Sequence, residues 1–191
     1  EETTHFSVVD ADGNTVSLTY TLEFGYGNSI VVEGAGFLLN NEMGDFNPMP
    51  GVTDRDGHIG TKPNLVEPGK RMISSMTPTI VAKDGRPVMA IGSPGGRTII
   101  NTSLQVVLNV IDHDMNIARA IEAPRIHHQW LPDRTAFERG YISADTQRMY
   151  EMLGHTVYFR TGQGSAMGIW IDWETGIKYG SADSRSYNGR A

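Results

Sequence analysis

The chain has 191 residues, a length that fits one domain with a hydrophobic core of its own. Its formal net charge of −6 and its scattered Lys and Arg residues exclude a basic face, so small molecules or another protein are expected partners and nucleic acid is not. The absence of cysteine excludes disulfides, thiolate chemistry and a cysteine-based zinc site, and it leaves the redox compartment open. No apolar run approaches the roughly 18 residues typical of a membrane span. The acidic start is unlike a signal peptide, so any export signal is expected to lie outside this chain.

The first predicted element is a β-hairpin. Residues 4–10 and 15–22 alternate between apolar and polar side chains, and Asp10-Ala11-Asp12-Gly13-Asn14 supplies turn chemistry between them. A calcium loop is excluded at this turn, because the glycine and the bidentate glutamate of an EF-hand would fall on Thr15 and Thr21. The return strand brings Thr21 back toward Thr3, so their two hydroxyl groups are expected to meet.

Thr3 is a candidate N-terminal nucleophile. If the bond between Glu2 and Thr3 is cut, Thr3 holds both a hydroxyl to attack and a free α-amine to take up the proton. The alternative is that Thr3 is an ordinary strand residue, since threonine is a good strand former.

Acidic and glycine-rich loops follow the hairpin. The glycines between residues 25 and 36 predict loops around a short strand at 30–32. The next loop carries Glu42 and Asp45, which are candidates to hold an ammonium group. The alternative for these two residues is a solvated acidic loop.

A long segment without periodicity covers residues 44–71. Its Pro, Gly and Asp content predicts an exposed loop that serves as a lid or a binding element, with disorder as the alternative. Ser74 and Ser75 follow it and offer neighbouring hydroxyls that suit a carboxylate, with a turn or a cap as the alternative.

The centre of the chain predicts two strands, at 79–82 and 87–91, and then a helix. The turn Gly92-Ser93-Pro94-Gly95-Gly96 joins the second strand to that helix, and its consecutive glycines expose backbone N–H groups that can bind an oxyanion. The alternative is an ordinary strand-to-helix turn. One apolar face of the helix is predicted to pack on a sheet: Ile99, Ile100, Leu104, Val107, Leu108 and Ile111.

The last third predicts two helices, at about 116–122 and 144–153, and two strands, near 166–172 and 177–182. Because the hairpins are grouped apart from the helices, the pattern favours an α+β sandwich of layers.

Metal and nucleotide motifs are excluded by their spacing. His127 and His128 are adjacent on an extended segment and belong to no HExxH-type pattern. Gly25-Tyr26-Gly27 lacks the third glycine of a dinucleotide fingerprint, and the turn before the central helix lacks the lysine of a phosphate loop. No metal and no cofactor is therefore expected.

Five ordered segments together resemble the small, catalytic subunit of the γ-glutamyltranspeptidases, which are N-terminal nucleophile hydrolases. The resemblance covers essentially the whole chain, residues 1–191. The segments are Thr3 to Asp10, Leu38 to Phe46, Lys70-Arg71 with Ser74-Ser75-Met76, Gly92 to Gly96, and Ala123-Pro124-Arg125 with His127-His128-Gln129-Trp130. The resemblance implies a four-layer αββα fold, of which this chain is the small-subunit half, built with a large subunit cut from the same precursor.

The resemblance also implies roles for single residues. Thr3 would be the nucleophile in precursor cleavage and in catalysis, and the Thr21 hydroxyl would support it. The N–H groups of Gly95 and Gly96 would form the oxyanion hole. The donor's α-ammonium and α-carboxylate groups would be bound by substrate-binding residues: Glu23, Asn41, Glu42, Asp45, Ser74 and Ser75. A large-subunit arginine would complete the carboxylate site.

The implied activity is transfer of a γ-glutamyl group from glutathione or a related donor to water, an amino acid or a peptide. The implied location is periplasmic, secreted or extracellular-facing. Two departures from the family pattern stand out: Glu23 lies where many relatives carry Asn, and Glu1-Glu2 precede the nucleophile, so the chain either retains precursor residues or is unprocessed. The alternatives are an acylase on the same scaffold, acting on cephalosporins or poly-γ-glutamate, and a non-catalytic extracellular binding module.

Overall fold

The computed structural model describes residues 3–47, 49–186 and 189. The expectation about the processing state of Glu1 and Glu2 lies outside these residues. The described part of the chain forms nine strands and three α-helices: β1 Thr3–Val9, β2 Thr15–Thr21, β3 Thr79–Lys83, β4 Arg86–Gly92, α1 Ile99–Ile111, α2 Ile117–Glu122, β5 Ile126–His127, β6 Thr135–Glu138, α3 Ala144–Met152, β7 Val157–Arg160, β8 Met167–Ile171 and β9 Lys178–Ala182.

The molecule is built in layers around a central antiparallel sheet of order β3-β4-β8-β9. The hairpin β1-β2 packs on one face of this sheet, mainly against β4 and β8, and helices α1 and α2 cover the other face. A third sheet contains β5, β6 and β7, with β6 and β7 parallel. The predicted α+β class is confirmed, and the described residues supply two sheet layers and one helical layer.

The core lies between the central sheet and the helices. Met89 and Ile91 of β4 pack with Val106 and Val110 of α1 and with Ile121 of α2, and all five are buried. This burial removes apolar surface from water, which is the main source of stability in a domain of this size.

The predicted packing face of α1 is confirmed for Ile99, which is buried, and for Val107, which packs against the core, and it is wrong for the other four residues. The buried residues of the helix are Ile99, Thr102, Ser103, Val106 and Val110. Four of the six residues that the sequence pattern selected are exposed instead: Ile100, Leu104, Leu108 and Ile111. The helix carries two apolar stripes, and the stripe that packs includes small hydroxyl residues, which can fill a tight interface and satisfy their own hydrogen bonds. The Ser103 hydroxyl, for example, donates to the Thr77 carbonyl oxygen at 3.4 Å.

The hairpin has its polar face inward. His5 is 2% exposed and lies between the hairpin and the sheet, where its ring nitrogens contact the hydroxyls of Thr19 and Ser7 at 2.9 and 3.1 Å. The opposite face carries large apolar side chains that are 38–58% exposed: Phe6, Val8, Val16, Leu18 and Tyr20. An apolar outer face of this extent is typical of a surface that another layer covers.

The other predicted elements are confirmed in part. The hairpin, β3, β4, α1, α2, α3, β8 and β9 form close to their predicted bounds, and Ser143 caps α3 by accepting from the Thr146 N–H. The predicted strand at 30–32 is reduced to one bridge between Val31 and Leu38. The short strands β5, β6 and β7 were not predicted. None of the helices in the described part of the chain has the length and apolar character that crossing a bilayer requires.

Candidate active site

The two hydroxyls predicted to meet are in contact. Thr3 and Thr21 are directly paired across β1 and β2, and the Thr3 Oγ1 donates to the Thr21 Oγ1 at 3.2 Å. The Thr21 Oγ1 also accepts from the backbone N–H of Glu23 at 2.8 Å. Because these interactions hold the Thr21 oxygen in place, the Thr3 hydroxyl has a defined orientation toward the cavity beside it.

Three carboxylates converge next to this pair. Oxygen atoms of Glu23, Glu42 and Asp45 all lie within 4.8 Å of one another. Glu42 and Asp45 sit at the two ends of a single 3₁₀ turn, whose start is held because the Glu42 N–H donates to the Asn40 Oδ1 at 3.1 Å. In the described residues this is the one place where three potential metal-ligating side chains come together, and three anionic oxygens equally suit the three donors of an ammonium group.

Glu42 is the buried member of the cluster. Its side chain is 9% exposed, and within the described part of the chain its Oε1 has no hydrogen-bond partner. Burial, together with the negative charges of Asp45 and Glu23, raises the pKa of Glu42. A buried carboxylate oxygen without a partner is costly, so the cluster is prepared to accept a cation.

Asn64 joins the acidic turn to the serine segment, a role that the sequence analysis missed. Its Nδ2 donates to the Asp45 carbonyl oxygen at 2.7 Å, and its Oδ1 accepts from the Ile73 N–H at 3.0 Å. This link ties the segment before Ser74 and Ser75 to the acidic turn, and both serines line the same cavity as the carboxylates. The Ser74 Oγ accepts from the Met76 N–H at 3.1 Å.

The glycine turn lies between β4 and α1 and forms as predicted. Gly95 and Gly96 have φ of 136° and 55°, which favour glycine. In the hydrogen bonds among described residues, neither N–H donates to a partner. Thr98 closes the turn, since its N–H and its hydroxyl both donate to the Gly95 carbonyl oxygen, at 3.1 and 2.8 Å.

The loop that contains Gly164 and Ser165 packs against this turn. A Cβ on Gly95 would lie 3.1 Å from the Gly164 Cα, so the two backbones are in direct contact. The Ser165 N–H donates to the Oγ of the fully buried Ser93 at 2.9 Å, and that Oγ donates to the Pro94 carbonyl oxygen at 2.6 Å. The residues involved are far apart in sequence, so no local pattern could have revealed the contact.

The supporting loop is itself held by a buried ionic network. Arg125 pairs with Asp183 at 2.7 Å, and its Nη1 donates to the Gln163 carbonyl oxygen at 2.6 Å. Glu138 accepts from the Gln163 N–H at 2.9 Å and pairs with Arg185 at 2.6 Å. Removing one partner of such a network leaves a buried charge without compensation, which is strongly destabilising.

Most of the predicted site residues line one cavity of about 570 Å³. Eight of them do so: Thr3, Thr21, Glu23, Glu42, Asp45, Ser74, Ser75 and Gly96. Gly95 and Asn41 lie outside the lining. Asn41 instead accepts from the Phe24 N–H at 3.1 Å and so positions the segment after Thr21.

A further wall of the cavity contains residues that the sequence analysis did not assign: Arg97, Asn101, His127, His128 and Gln129. The Asn101 amide donates to the His127 Nδ1 at 3.0 Å, and the His127 Nε2 bonds to the Gln129 Oε1 at 2.8 Å. Burial lowers the pKa of His127, which favours the neutral form of its ring.

Comparison with known proteins gives a consistent set of relatives. Residues 1–191 match the family model described as Gamma-glutamyltranspeptidase. The chain is 49% identical over 185 residues to the glutathione hydrolase proenzyme of Escherichia coli (strain K12), a match that covers 97% of this chain and 32% of the relative. It resembles the crystal structure of a Helicobacter pylori γ-glutamyltranspeptidase variant with a TM-score of 0.87 and 44% identity, covering 96% of this chain and 100% of that chain.

A more distant structural match is a cephalosporin acylase from Bacillus halodurans, with a TM-score of 0.81 and 25% identity, covering 97% of this chain and 33% of that chain. The chain spans about a third of the length of the curated relatives it matches.

Proposed function

Because this chain belongs to the γ-glutamyltranspeptidase family and carries the fold of the N-terminal nucleophile hydrolases, we propose that residues 1–191 form the catalytic small subunit of an enzyme that transfers γ-glutamyl groups. The observation that carries the proposal is the position of the Thr3 hydroxyl. It lies 3.2 Å from the Thr21 oxygen, on the wall of the cavity that holds the acidic cluster, Ser74, Ser75 and Gly96.

The cavity suits both charged ends of a γ-glutamyl donor such as glutathione. Glu23, Glu42 and Asp45 offer anionic oxygens to the α-ammonium group. The hydroxyls of Ser74 and Ser75 donate to the α-carboxylate, and an arginine of the large subunit completes that site. The γ-carbonyl then lies between the Thr3 hydroxyl and the N–H groups of Gly95 and Gly96.

The reaction proceeds through an ester of Thr3. The Thr3 Oγ1 attacks the γ-carbonyl carbon, its α-amine takes up the proton, and the developing oxyanion accepts hydrogen bonds from the glycine turn. The C–N bond of the donor then breaks, and the amine leaves with a proton, as cysteinylglycine when the donor is glutathione. Water or the amine of an amino acid or peptide next attacks the ester, the C–O bond to Thr3 breaks, and the Thr3 hydroxyl is regenerated.

The same hydroxyl produces the mature chain. The Thr3 Oγ1 attacks the Glu2 carbonyl carbon, the C–N bond between Glu2 and Thr3 breaks to free the α-amine, and water hydrolyses the resulting ester, so that Glu2 ends in a carboxylate and the Thr3 hydroxyl is regenerated. The large subunit released by this cut is the partner, and the exposed apolar faces of the hairpin and of α1 are surfaces suited to it. A periplasmic, secreted or extracellular-facing location belongs to this proposal.

An acylase function on the same scaffold is disfavoured by the acidic cluster. The glutaryl group of a glutaryl-cephalosporin lacks the α-ammonium, so binding it would leave Glu42 buried without a cationic partner. A poly-γ-glutamate substrate has the same γ-linkage as glutathione and differs only in the residue that follows this linkage. Its cleavage would therefore use the same nucleophile.

The experiment is made on the complete precursor, with Thr3→Ala, Thr3→Ser and Thr4→Ala. Thr4 is the matched control, because it is the neighbouring threonine and its side chain is exposed on the other face of β1. We expect Thr3→Ala to block both maturation and turnover of a γ-glutamyl anilide, and Thr3→Ser to retain some of each.

Maturation is measured by N-terminal sequencing of the small chain, and the nucleophile is identified by covalent labelling with an acyl-type inhibitor. A Thr3→Ala protein that still matures into two chains and turns over the anilide would overturn the proposal. Wild-type protein without stoichiometric labelling of Thr3 would indicate a non-catalytic binding module.

A further inference from the structure

One wall of the cavity is not used by the γ-glutamyl donor as the proposed function places it. The donor occupies the part lined by Glu23, Glu42, Asp45, Ser74 and Ser75, whereas Arg97, Asn101 and the segment 127–129 are lining residues to which the proposed function gives no role. An acyl-transfer site must also hold two amines in turn. The amine released from the donor leaves in the first half of the reaction, and the acceptor amine enters in the second half. The unassigned wall is the part of the cavity available for it.

Charge divides the two sides. Glu23, Glu42 and Asp45 are the acidic residues among the described residues that line the cavity, and Arg97 is the one lysine or arginine among them. Asn101 is uncharged and donates to His127 and to the His128 carbonyl oxygen, and burial lowers the pKa of His127, which favours its neutral ring. Amino acids and peptides carry a carboxylate, and Arg97 is the group on this wall that can pair with it.

The donors of Arg97 are almost unused. Its guanidinium has five N–H donors, and the structure records one contact for it within the described chain, from Nη1 to the Gly57 carbonyl oxygen at 3.4 Å. That contact is long for a charged donor, which normally bonds at about 2.7–2.9 Å. No ion pair to Arg97 is present among the described residues. A planar guanidinium with unpaired donors at a cavity wall suits a bidentate carboxylate contact.

The position of Arg97 in the chain fits this role. It directly follows Gly96, one of the two residues proposed to donate to the oxyanion, and its side chain extends from there to the carbonyl oxygen of Gly57, which also lines the cavity. A dipeptide in extended form spans about 7 Å, at roughly 3.3–3.6 Å per residue. Thr3 and Arg97 line the same cavity, so a dipeptide acceptor whose amine lies at the Thr3 ester can extend its carboxylate toward the Arg97 side chain.

We propose that Arg97 binds the carboxylate of the amine-bearing partner, and so makes this cavity selective for amino acid and peptide acceptors with a free carboxylate. The inference rests on the proposed function. Arg97 takes no part in the covalent step: the acceptor nitrogen attacks the ester carbon, the C–O bond to Thr3 breaks, and the proton lost by the acceptor amine restores the Thr3 hydroxyl.

The test compares Arg97→Gln with Arg148→Gln in the matured protein. Arg148 is the matched control, because it is an exposed arginine on α3 that pairs with Asp145 and takes no part in the lining of the cavity. Three reactions of one γ-glutamyl anilide are measured: hydrolysis by water, transfer to glycylglycine, and transfer to glycylglycinamide, which lacks the carboxylate.

For Arg97→Gln we expect KM for glycylglycine to rise about ten-fold or more, as the loss of a charge-assisted contact predicts. The KM for glycylglycinamide and the rate of hydrolysis should stay close to their wild-type values, and Arg148→Gln should match the wild type in all three. Arg97→Lys keeps the charge but not the planar fork, so it should give an intermediate KM for glycylglycine.

Equal effects on the two acceptors, or no effect on either, would overturn the inference. So would a failure of both Arg97 variants to mature while Arg148→Gln matures, since Arg97 would then act in the fold. If the wild-type protein does not release the aniline from the γ-glutamyl anilide at all, the proposed function itself fails and the inference fails with it.

Discussion

The hydroxyl of Thr3 and the hydroxyl of Thr21 form a hydrogen bond of 3.2 Å across directly paired positions of the first two strands. Pairing in register is what aligns them, because an offset of one residue would turn one of the two side chains to the opposite face of the hairpin. In the proposed function this relationship makes Thr21 a positioning residue, whose effect can be measured separately from that of Thr3.

Thr21→Val keeps the shape of the side chain and removes the oxygen that accepts from Thr3 and from the Glu23 N–H. We expect kcat for a γ-glutamyl anilide to fall by about ten-fold or more, since a typical hydrogen bond is worth roughly 0.5–1.5 kcal/mol and the partly buried Glu23 N–H would also lose its acceptor. Thr21→Ser should restore most of the activity. Equal kcat values for the Val variant and the wild type would show that the contact is incidental.

Asp45→Asn removes one charge from the acidic cluster while keeping its shape. We expect kcat/KM for an L-γ-glutamyl anilide to fall by about one to two orders of magnitude, because a charge-assisted contact to the donor's ammonium is worth about 1.5–3 kcal/mol. A glutaryl anilide, which lacks the ammonium, should change much less. If both anilides lose activity to the same extent, the ammonium does not bind at this cluster.

Gly96→Val tests the oxyanion turn. Gly96 has a φ of 55°, where a β-branched residue is strained, so the N–H should no longer point at the reacting carbonyl. The expected result is a fall in kcat by roughly two orders of magnitude, the size of a lost oxyanion donor, with a smaller change in KM. Melting temperature is the control: a collapse of Tm would assign the turn to the fold, and an unchanged kcat would place the oxyanion hole elsewhere.

Ser93→Ala tests the support beneath that turn. The variant leaves the buried Ser165 N–H without its acceptor at 2.9 Å. Because Ser93 lies outside the lining of the cavity, we expect kcat to fall several-fold, in keeping with a lost hydrogen bond of about 1 kcal/mol, and KM for the donor to stay the same. A rise in KM with constant kcat would contradict a role through the oxyanion turn.

His5 predicts a pH dependence of stability. Burial lowers the pKa of His5 from 6.5 to about 4. A histidine whose pKa is lower in the folded state binds fewer protons when folded, so its contribution is complete above pH 6.5 and is lost as the pH falls toward about 4. The difference between these two pKa values corresponds to roughly 3 kcal/mol of unfolding free energy.

The measurement is Tm between pH 4 and pH 7.5 for wild type and His5→Gln. The advantage of the wild type over the variant should shrink as the pH is lowered, since the glutamine does not titrate. A constant difference across the range would show that His5 keeps its ordinary pKa in the folded protein.

The sequence alone predicted the strands and helices whose periodicity is strong and whose ends carry turn or cap residues, such as the hairpin and the Ser143-capped α3. It missed β5, β6 and β7, which are two to four residues long and too short to show alternation. For α1 the period was correct and the buried face was wrong for four of the six predicted residues, because hydrophobicity cannot tell which of two apolar stripes meets the sheet of the same chain and which is left exposed.

The residue types that the chemistry needs were also present in the sequence: a threonine at the start of β1, a pair of acids, a pair of serines and a Gly-Gly turn. Each belongs to a local pattern that can be read without a structure. Only the tertiary structure brought them to one cavity, placed the carboxylates of Glu23, Glu42 and Asp45 within 4.8 Å of one another, and revealed the contacts of Asn64, Ser93 and Arg97. These contacts join segments far apart in the chain, and packing and backbone hydrogen bonds in three dimensions, not local propensity, decide which distant segments meet.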